Sequence, residues 1–249
     1  MEFNLKRNIQ RGIRPILGTF GLELVRKHRS DDPKTYIPFK ETIAGANLSG
    51  QSVGDYIDSK YQAPGATQET IDKMVELGVF QDKIERICEI GPGSGRYLEK
   101  TLKICKPVYY EIYETAADWA QWLVKNYEVI HQPTDGVTLS LTPSRSIDLI
   151  HAHRVFSSTT FLATSSYFLE MIRVVREGGK IVFDILDEDC MDTNTLKKWL
   201  DASIPNGLYP SFLAKGYALD IFYDHGFSLM GDFFITMKPG RTHYFVFSQ

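Results

Sequence analysis

Hydrophobic and polar residues follow two different periods along most of the chain, and the two periods alternate. Short apolar runs, which indicate buried strands, occupy residues 84–90, 108–113, 128–131, 147–151 and 180–186. Apolar residues at spacings of three and four predict helices at residues 95–104, 116–126 and 161–176. Strands that alternate with helices in this way predict an α/β fold, in which a mostly parallel sheet carries helices on both faces.

The last part of the chain departs from this alternation. Helices are predicted at residues 193–202 and at about 211–225, and strands at residues 227–236 and 242–247. Pro239 and Gly240 lie between these two strands and indicate a turn. The sequence therefore predicts seven strands, of which the last two form a terminal antiparallel hairpin.

The first 78 residues differ in character from residues 79–249, and we predict a boundary between the two regions. Residues 30–65 are rich in Asp, Pro, Gly and Ser, which predicts an ordered loop region. A helix is predicted at residues 67–77, because Gly78 follows its last apolar position. The N-terminal region thus consists of an arm, a loop and a cap helix. Within residues 79–249, a lid insertion is expected at about residues 187–217.

Charge changes this picture only at the N-terminus. The 249 residues carry a formal net charge of −3, which gives no reason to expect a nucleic-acid partner. Residues 1–29, however, contain seven Lys and Arg and only two acids, interspersed with apolar residues. We expect this basic arm to pack on the domain or on a partner subunit of a homo-oligomer. The alternative is a peripheral contact with an anionic membrane surface.

The cysteines and the hydropathy pattern bear on the cellular compartment. Cys88, Cys105 and Cys190 form no Cys-x-x-Cys pair, so neither a disulfide framework nor a structural zinc site is indicated. The sequence contains no run of eighteen apolar residues and no apolar signal segment at its N-terminus. These observations predict a cytoplasmic protein.

Candidate chemistry begins directly after the first predicted strand. Gly91, Gly93 and Gly95 alternate there, with Glu89 two residues before the first glycine and Arg96 directly after the last. Glycines accept positive φ and let the backbone approach a ligand, and a following helix offers unpaired N–H groups. Because Glu89 would repel a bare phosphate, the motif indicates a ligand with a positive or hydrogen-donating end.

The spacing Glu-x-Gly-x-Gly-x-Gly resembles the first motif of class I S-adenosylmethionine (SAM)-dependent methyltransferases, which have a Rossmann-like fold. The resemblance extends over residues 84–186 and includes residues 146–150 and 173–180. It implies SAM as the cofactor, bound at Glu89 and the three glycines. An NAD-dependent oxidoreductase is the less favoured alternative, because its fingerprint needs glycine where this chain has Arg96.

The resemblance also implies roles for acids at the next two strand ends. Glu114 matches the acid that binds the two ribose hydroxyls in this family, and Glu111 is the alternative. Asp135, followed by Gly136, matches the residue that receives the adenine amino group. Interpretations in which these acids bind no cofactor stay open, because Glu114 is also placed to cap a helix and Asp-Gly is an ordinary turn signal.

Catalytic residues are predicted at the end of the fourth strand. Methyl transfer to an alcohol needs an acceptor held in line and often a base that removes the hydroxyl proton. His151 and His153 alternate along this strand end, so only one of them is expected to face the pocket. We favour His153, which lies farther past the strand, as the base or as the group that positions the acceptor. A histidine satisfied by backbone groups is the alternative.

Acids after the fifth strand offer a second candidate base, and they could bind a divalent metal through oxygen ligands. They are Asp184, Asp187, Glu188 and Asp189. A solvated loop is the favoured explanation of this cluster, so the sequence assigns no metal ligand.

The predicted function is methyl transfer from SAM to a hydroxyl of a small molecule or saccharide. The chain is similar in general appearance to bacterial methyltransferases that modify sugars for surface polysaccharides. A nucleic-acid acceptor is disfavoured, because the Asn/Asp-Pro-Pro-aromatic motif of DNA amino-methyltransferases is missing after the fourth strand. A catalytically silent SAM-binding module is a further alternative. Aromatic residues expected to line the acceptor are Tyr36, Phe39, Tyr56, Tyr61, Trp199, Tyr209, Phe212 and Tyr217.

Overall fold

A computed structural model of the chain describes residues 37–204 and 209–249. The predicted basic arm of residues 1–29 lies outside these residues, as does Tyr36, so the expected contacts of the arm with a membrane or a partner subunit stay predictions. Within the described ranges, no helix is both long enough and apolar enough to cross a membrane.

Three helices precede the sheet: α1 (Phe39–Ser49), α2 (Val53–Tyr61) and α3 (Ala66–Glu76). The prediction of a loop at residues 30–65 is therefore wrong for residues 39–61. The polar and small residues of this stretch mark helix ends: Gly50 terminates α1 with a φ of +64°, and the Ser52 side chain caps α2 by accepting the Asp55 N–H at 3.1 Å.

The sheet contains seven strands and confirms the predicted fold class. They are β1 (Arg86–Ile90), β2 (Tyr109–Tyr113), β3 (Ile130–His131), β4 (Ile147–Ala152), β5 (Val175–Ile185), β6 (Ser228–Met237) and β7 (Gly240–Ser248). Their order across the sheet is β3-β2-β1-β4-β5-β7-β6. The first five strands are parallel, and β7 runs antiparallel between β5 and β6. The hairpin predicted at the end of the chain thus completes a Rossmann-like sheet.

Five further α-helices follow the first strand: α4 (Arg96–Ile104), α5 (Ala117–Asn126), α6 (Phe161–Val174), α7 (Thr193–Ser203) and α8 (Lys215–Asp224). A short 3-10 helix spans Glu188–Cys190. Helices α3, α4 and α5 pack on one face of the sheet, and α6 and α8 pack on the other. Neighbouring residues of β1 illustrate the two layers, because Ile87 and Cys88 belong to opposite cores and both are fully buried.

Two element boundaries differ from the predictions for identifiable reasons. Helix α6 ends at Val174, and β5 already begins at Val175, which pairs with Ile147 before the register shifts. Helix α8 begins at Lys215 and not at about residue 211, because the preceding backbone bonds to other segments. The Ser211 N–H donates to the Ser157 carbonyl at 2.8 Å, and the Leu213 N–H to the Leu186 carbonyl at 2.9 Å.

The strand order reverses between β1 and β4, which are neighbours although two strands separate them in sequence. In open α/β sheets, ligands bind outside the carboxyl ends of the strands at such a reversal. The loops that follow β1, β2, β3 and β4 therefore define the place where a site is expected.

A buried ion pair connects the N-terminal helices to the first loop of the sheet. Arg96, the first residue of α4, donates from Nη1 to Asp58 Oδ1 of α2 at 2.8 Å, and the two side chains are 6% and 4% exposed. Asp58 also accepts hydrogen bonds from the backbone N–H and the hydroxyl of Thr67, at 2.9 and 2.8 Å. One carboxylate thus joins α2, α3 and α4.

We expect Asp58→Ala to lower the free energy of unfolding by about 3–5 kcal/mol, because a buried guanidinium would lose its counterion. Denaturant unfolding measures this loss. The control is Glu76→Ala, which removes the exposed partner of Lys73 on α3 and should change little. Similar losses in the two variants would contradict a special role for the buried pair.

Candidate active site

The glycine-rich loop after β1 has the predicted geometry, and its three glycines are required for different reasons. Gly91, Gly93 and Gly95 have φ values of +60°, +53° and +73°. A Cβ on Gly91 would lie 2.8 Å from Val155, and a Cβ on Gly95 would lie 2.4 Å from Leu123. A Cβ on Gly93 would meet no atom within 4 Å. Packing therefore restricts the outer two positions, whereas Gly93 borders open space.

Glu114 connects this loop to the end of β2. Its carboxylate accepts the Gly93 N–H at Oε2 and the Ala116 N–H at Oε1, both at 2.7 Å. Burial raises the pKa of Glu114, and these backbone hydrogen bonds oppose the rise. Each carboxylate oxygen has a second lone pair, so the residue is able to accept hydroxyl groups of a ligand while it holds the loop.

The alternative acid, Glu111, is buried and already has partners. It accepts hydrogen bonds from the Thr142 hydroxyl at 2.7 Å and from the Gln132 amide at 2.8 Å. Glu111 pairs in register with Cys88, whereas Glu89 pairs with Ile112. Glu111 therefore stays the less favoured candidate for binding the ribose hydroxyls.

Glu89 lies beneath the glycine loop and is only 1% exposed. The Tyr110 hydroxyl donates to its Oε2 at 2.7 Å, and Oε1 has no hydrogen-bond partner among the described residues. Burial raises the pKa of Glu89 to about 8, although the hydrogen bond from Tyr110 acts in the opposite direction. A large part of the carboxyl population is therefore protonated near neutral pH.

Asp135 and Gly136 form a tight turn after β3. The Asp135 carboxylate accepts the N–H groups of Val137 and Thr138 and the Thr138 hydroxyl, at 2.9, 2.7 and 2.8 Å. The hydrogen bond from the Val137 N–H is the largest of several that lower the pKa of Asp135. Gly136 has a φ of +80°. The turn interpretation thus has direct support, and the role at adenine stays a prediction.

The two histidines at the end of β4, His151 within the strand and His153 directly after it, lie on the same face of the sheet, with ring centroids 4.9 Å apart. The prediction that only one of them faces the site is wrong, because residues i and i+2 of a strand point to the same side. Tyr110, Tyr97 and Tyr244 surround the pair. Side chains two residues apart in a strand point to the same face of the sheet. With the pairing of β1 and β2, this spacing places Tyr110 on the same face as Glu89, and their contact was not predicted from the sequence.

The environments of the two histidines differ. The Nε2 atom of His151 lies 3.0 Å from the Tyr110 hydroxyl oxygen. The ring of His153 stacks on Tyr97 with centroids 3.9 Å apart, and neither nitrogen of His153 has a hydrogen-bond partner within residues 37–204 and 209–249. Burial lowers the pKa of His151 to about 3 and that of His153 well below its usual value. Both rings are therefore neutral at physiological pH.

The carboxylate of Asp184, one of the candidate bases, is hydrogen-bonded to two other segments of the chain. It accepts the Arg154 N–H at 2.6 Å and the Thr242 hydroxyl at 2.7 Å, and its side chain is fully buried. Arg154 has a φ of +63°, a conformation that non-glycine residues rarely adopt. The carboxylate thus fixes the loop that follows β4 and links this loop to β7.

Farther along the chain, His243 of β7 lies between two carboxylates. Its Nδ1 is 2.7 Å from Asp187 and its Nε2 is 2.6 Å from Asp232. Ligand atoms of Asp187, Asp189 and His243 lie within 4.8 Å of one another. Both ring nitrogens of His243 already face carboxylates, so neither of them is free for an ion. No metal ligand is assigned in this cluster.

The aromatic residues expected at the acceptor have different surroundings. Phe161 and Tyr217 pack with ring centroids 5.0 Å apart, and the Tyr217 hydroxyl is 2.9 Å from the Ser165 hydroxyl. Tyr209 and Phe212 are 65% and 49% exposed. Phe39, in contrast, packs against Trp119 of α5 with centroids 4.9 Å apart. The predicted lid stays a prediction.

Comparison with protein families agrees with this geometry. Residues 88–183 match a protein family that is described as a methyltransferase domain. Together with the strand order and the glycine loop, the match makes this part of the chain similar to the methyltransferase domain of SAM-dependent enzymes, on a Rossmann-like sheet. This domain implies SAM as the cofactor.

Three solved structures illustrate the particular relatives to which the chain is similar. An O-methyltransferase family protein from Burkholderia thailandensis has a TM-score of 0.58 at 14% identity, over 98% of this chain and 70% of its own. The N-methyltransferase NodS from Bradyrhizobium japonicum, in complex with S-adenosyl-L-homocysteine (SAH), has a TM-score of 0.56 at 13% identity, over 83% and 97%. Magnesium protoporphyrin IX methyltransferase from Synechocystis PCC 6803, with bound SAH, has a TM-score of 0.55 at 12% identity, over 73% and 80%.

These likenesses show the fold, which serves different acceptors in the three relatives. None of the curated protein sequences compared with the chain matches it.

Two observations fit SAM at the glycine loop. The open space in front of Gly93 leaves room for a bound molecule against the backbone. The unpartnered Oε1 of Glu89 lies below the same loop, where a positively charged ligand would stabilise its ionised form. The residues present are therefore compatible with a phosphate-free, cationic cofactor.

Proposed function

We propose that the protein transfers the methyl group of SAM to a hydroxyl group of a small molecule or saccharide. The observation that carries the proposal is the open side of Gly93 next to the buried carboxylate of Glu114, at the point where the strand order reverses. The methyltransferase domain match over residues 88–183 supports the same reaction class.

The residues of the loops divide the work of holding the cofactor. Gly91, Gly93 and Gly95 shape the backbone against which it lies, and Glu114 accepts its ribose hydroxyls. Asp135 and Gly136 receive the adenine edge. Glu89 supplies negative charge from below the loop. When bound, the cofactor supplies an electrophilic methyl group on a sulfonium.

His153 acts on the acceptor hydroxyl in this proposal. Its ring is neutral, is held by stacking on Tyr97, and has two nitrogens without partners. A neutral imidazole accepts a hydrogen bond from a hydroxyl, which orients the oxygen for in-line attack and draws its proton away. Because burial disfavours the charged ring, positioning comes before full proton transfer. His151 supports this arrangement by packing beside the ring, with ring centroids 4.9 Å apart.

The acceptor class is inferred from the surface beside the loop after β4. Exposed aromatic rings at Tyr209, Phe212 and Tyr217 suit the apolar faces of a sugar or a small aromatic molecule. We propose the cytoplasm as the location, with any peripheral membrane contact or homo-oligomer contact made through residues 1–29. Nucleic acid is not proposed as an acceptor, because the formal net charge is −3.

Thermal unfolding with different cofactors tests the proposal. At a concentration of about 100 times the Kd, SAM and SAH should each stabilise the protein by roughly 2.7 kcal/mol, which raises Tm by about 5–10 °C. NAD should have no effect. Stabilisation by NAD but not by SAM would replace the proposal with an oxidoreductase.

A panel of hydroxyl-bearing acceptors then separates an enzyme from a binding module. Each acceptor is incubated with SAM, and the methylated product and SAH are measured by mass spectrometry. Saccharides and small phenols are the first members, with amines as the contrasting class. Methylated amines alone would exclude the hydroxyl acceptor. SAM binding without any product across the panel would favour a catalytically silent module.

A further inference from the structure

Three polar side chains from neighbouring strands meet near the carboxyl end of β1, from which the glycine loop follows. Glu89 of β1 pairs in register with His151 of β4, and Tyr110 of β2 contacts both. The Tyr110 hydroxyl lies 2.7 Å from Glu89 Oε2 and 3.0 Å from His151 Nε2. All three side chains are buried. We call this group the Glu89 triad.

The positions of the hydrogens follow from these contacts. The Tyr110 hydroxyl has one hydrogen; when it is donated to Glu89, the contact with His151 takes a donating Nε2–H, which is the tautomer we assign. The Nδ1 of a neutral His151 is then an acceptor. It lies 3.9 Å from Glu89 Oε1, and neither atom has a hydrogen-bond partner. Two bare acceptors that face each other in a dry interior are unfavourable, and a proton on Oε1 removes the conflict.

The surrounding charges leave this proton in place. Arg96 favours the ionised carboxyl of Glu89, but it is itself paired with Asp58 at 2.8 Å, and Glu114 adds a negative charge that opposes ionisation. Burial raises the pKa of Glu89 to about 8 and lowers the pKa of His151 to about 3. The other titratable or charged groups around the triad and its neighbour His153, among the described residues, are Cys88, Cys105, Tyr97, Arg154, Asp184 and Tyr244.

We propose that the Glu89 triad stores one proton and that binding of the positively charged cofactor at the glycine loop expels it. The O–H bond of the Glu89 carboxyl breaks, the electron pair stays on the carboxylate, and the proton passes to the buffer. The incoming positive charge is thereby matched by a new negative one. Tyr110 is a positioning residue, because its hydroxyl holds Oε2 in both states. The inference rests on SAM as the proposed cofactor.

Isothermal titration calorimetry counts the proton. SAM is titrated into the full chain at about pH 6.5, in buffers that differ in ionisation enthalpy, and about one proton should be released per bound molecule. The bound state holds fewer protons than the free state, so affinity should rise with pH below a pKa of about 8. The rise should be roughly tenfold per unit between about pH 5.5 and 7, where the amino group of SAM stays protonated.

Matched variants connect the proton to the triad. Glu89→Gln should release no proton and should bind SAM with a flat pH profile over the same range. Tyr110→Phe should still release about one proton but should bind roughly tenfold more weakly, because the carboxylate loses its hydrogen bond. Tyr109→Phe removes a hydroxyl that contacts Glu111 on the same strand and should leave both quantities unchanged. Melting curves without cofactor verify that each variant is folded.

The outcomes separate this inference from the function on which it rests. SAM binding by the natural chain without proton release would overturn the triad and leave the cofactor intact. Undiminished release by folded Glu89→Gln would also overturn it. A natural chain that binds no SAM at any pH would overturn both the inference and the proposed function.

Discussion

Gly93→Val is expected to abolish SAM binding while the protein remains folded. A valine side chain at this position would project into the open space beside Glu114, where a Cβ meets no protein atom within 4 Å. The valine side chain would therefore fill this space without a clash, and the cofactor would no longer fit there. Calorimetric titration with SAM and with SAH measures the loss.

Gly50→Val is the matched control for this substitution. Gly50 ends α1 with a φ of +64°, close to the +53° of Gly93, and a Cβ there also meets no atom within 4 Å. Both variants place a β-branched residue at positive φ, which costs about 1–2 kcal/mol of stability in each. Only Gly93→Val should lose SAM. Unchanged SAM affinity in Gly93→Val would remove the glycine loop from the proposed site.

His153→Ala is expected to lower kcat by roughly 10²- to 10⁴-fold, the range typical of a lost acid–base or hydroxyl-orienting group, with SAM affinity nearly unchanged. The expectation follows from the two unpartnered ring nitrogens of His153 at the end of β4. Turnover with the best acceptor of the panel and a SAM titration measure the two quantities separately.

Two further variants distinguish chemistry from packing. His153→Phe keeps an aromatic ring to stack on Tyr97, so it should fold well and still lose turnover. His225→Ala removes an exposed histidine whose Nδ1 contacts the Ile221 carbonyl at the end of α8, and it should keep full turnover. Full turnover in His153→Ala would transfer the role to Glu188 or Asp189 among the acids after β5, because Asp184 and Asp187 are buried and already engaged.

The sequence predicted the sheet because its signals are local. Each parallel strand contains a short apolar run. The glycines at 91, 93 and 95 mark the sharp turn that follows β1, because each of them has a positive φ. The terminal hairpin was equally readable from Pro239 and Gly240 between two apolar segments. Asp148 of β4 has a structural role, because it accepts the N–H groups of Glu85 and Arg86 at the start of β1.

The errors arose where tertiary contacts decide. Ser52 and Gly50 look like loop residues in a sequence, yet they are the cap and the terminator of two helices. Residues 211–214 have a helical pattern, but Ser211 and Leu213 bond to distant carbonyls. The shared face of His151 and His153 was available from the period of a strand and was misjudged. No sequence pattern reveals that Asp184 binds the backbone of Arg154.

The link from Asp184 to Arg154 and Thr242 connects β7 to the loop after β4. The terminal hairpin is usually regarded as the edge that completes a sheet. Here its inner strand, β7, holds the carboxylate that fixes the backbone directly after His153. If His153 acts as proposed, the hairpin keeps its backbone in place, whereas the exposed Tyr209 and Phe212 are free to change with the acceptor.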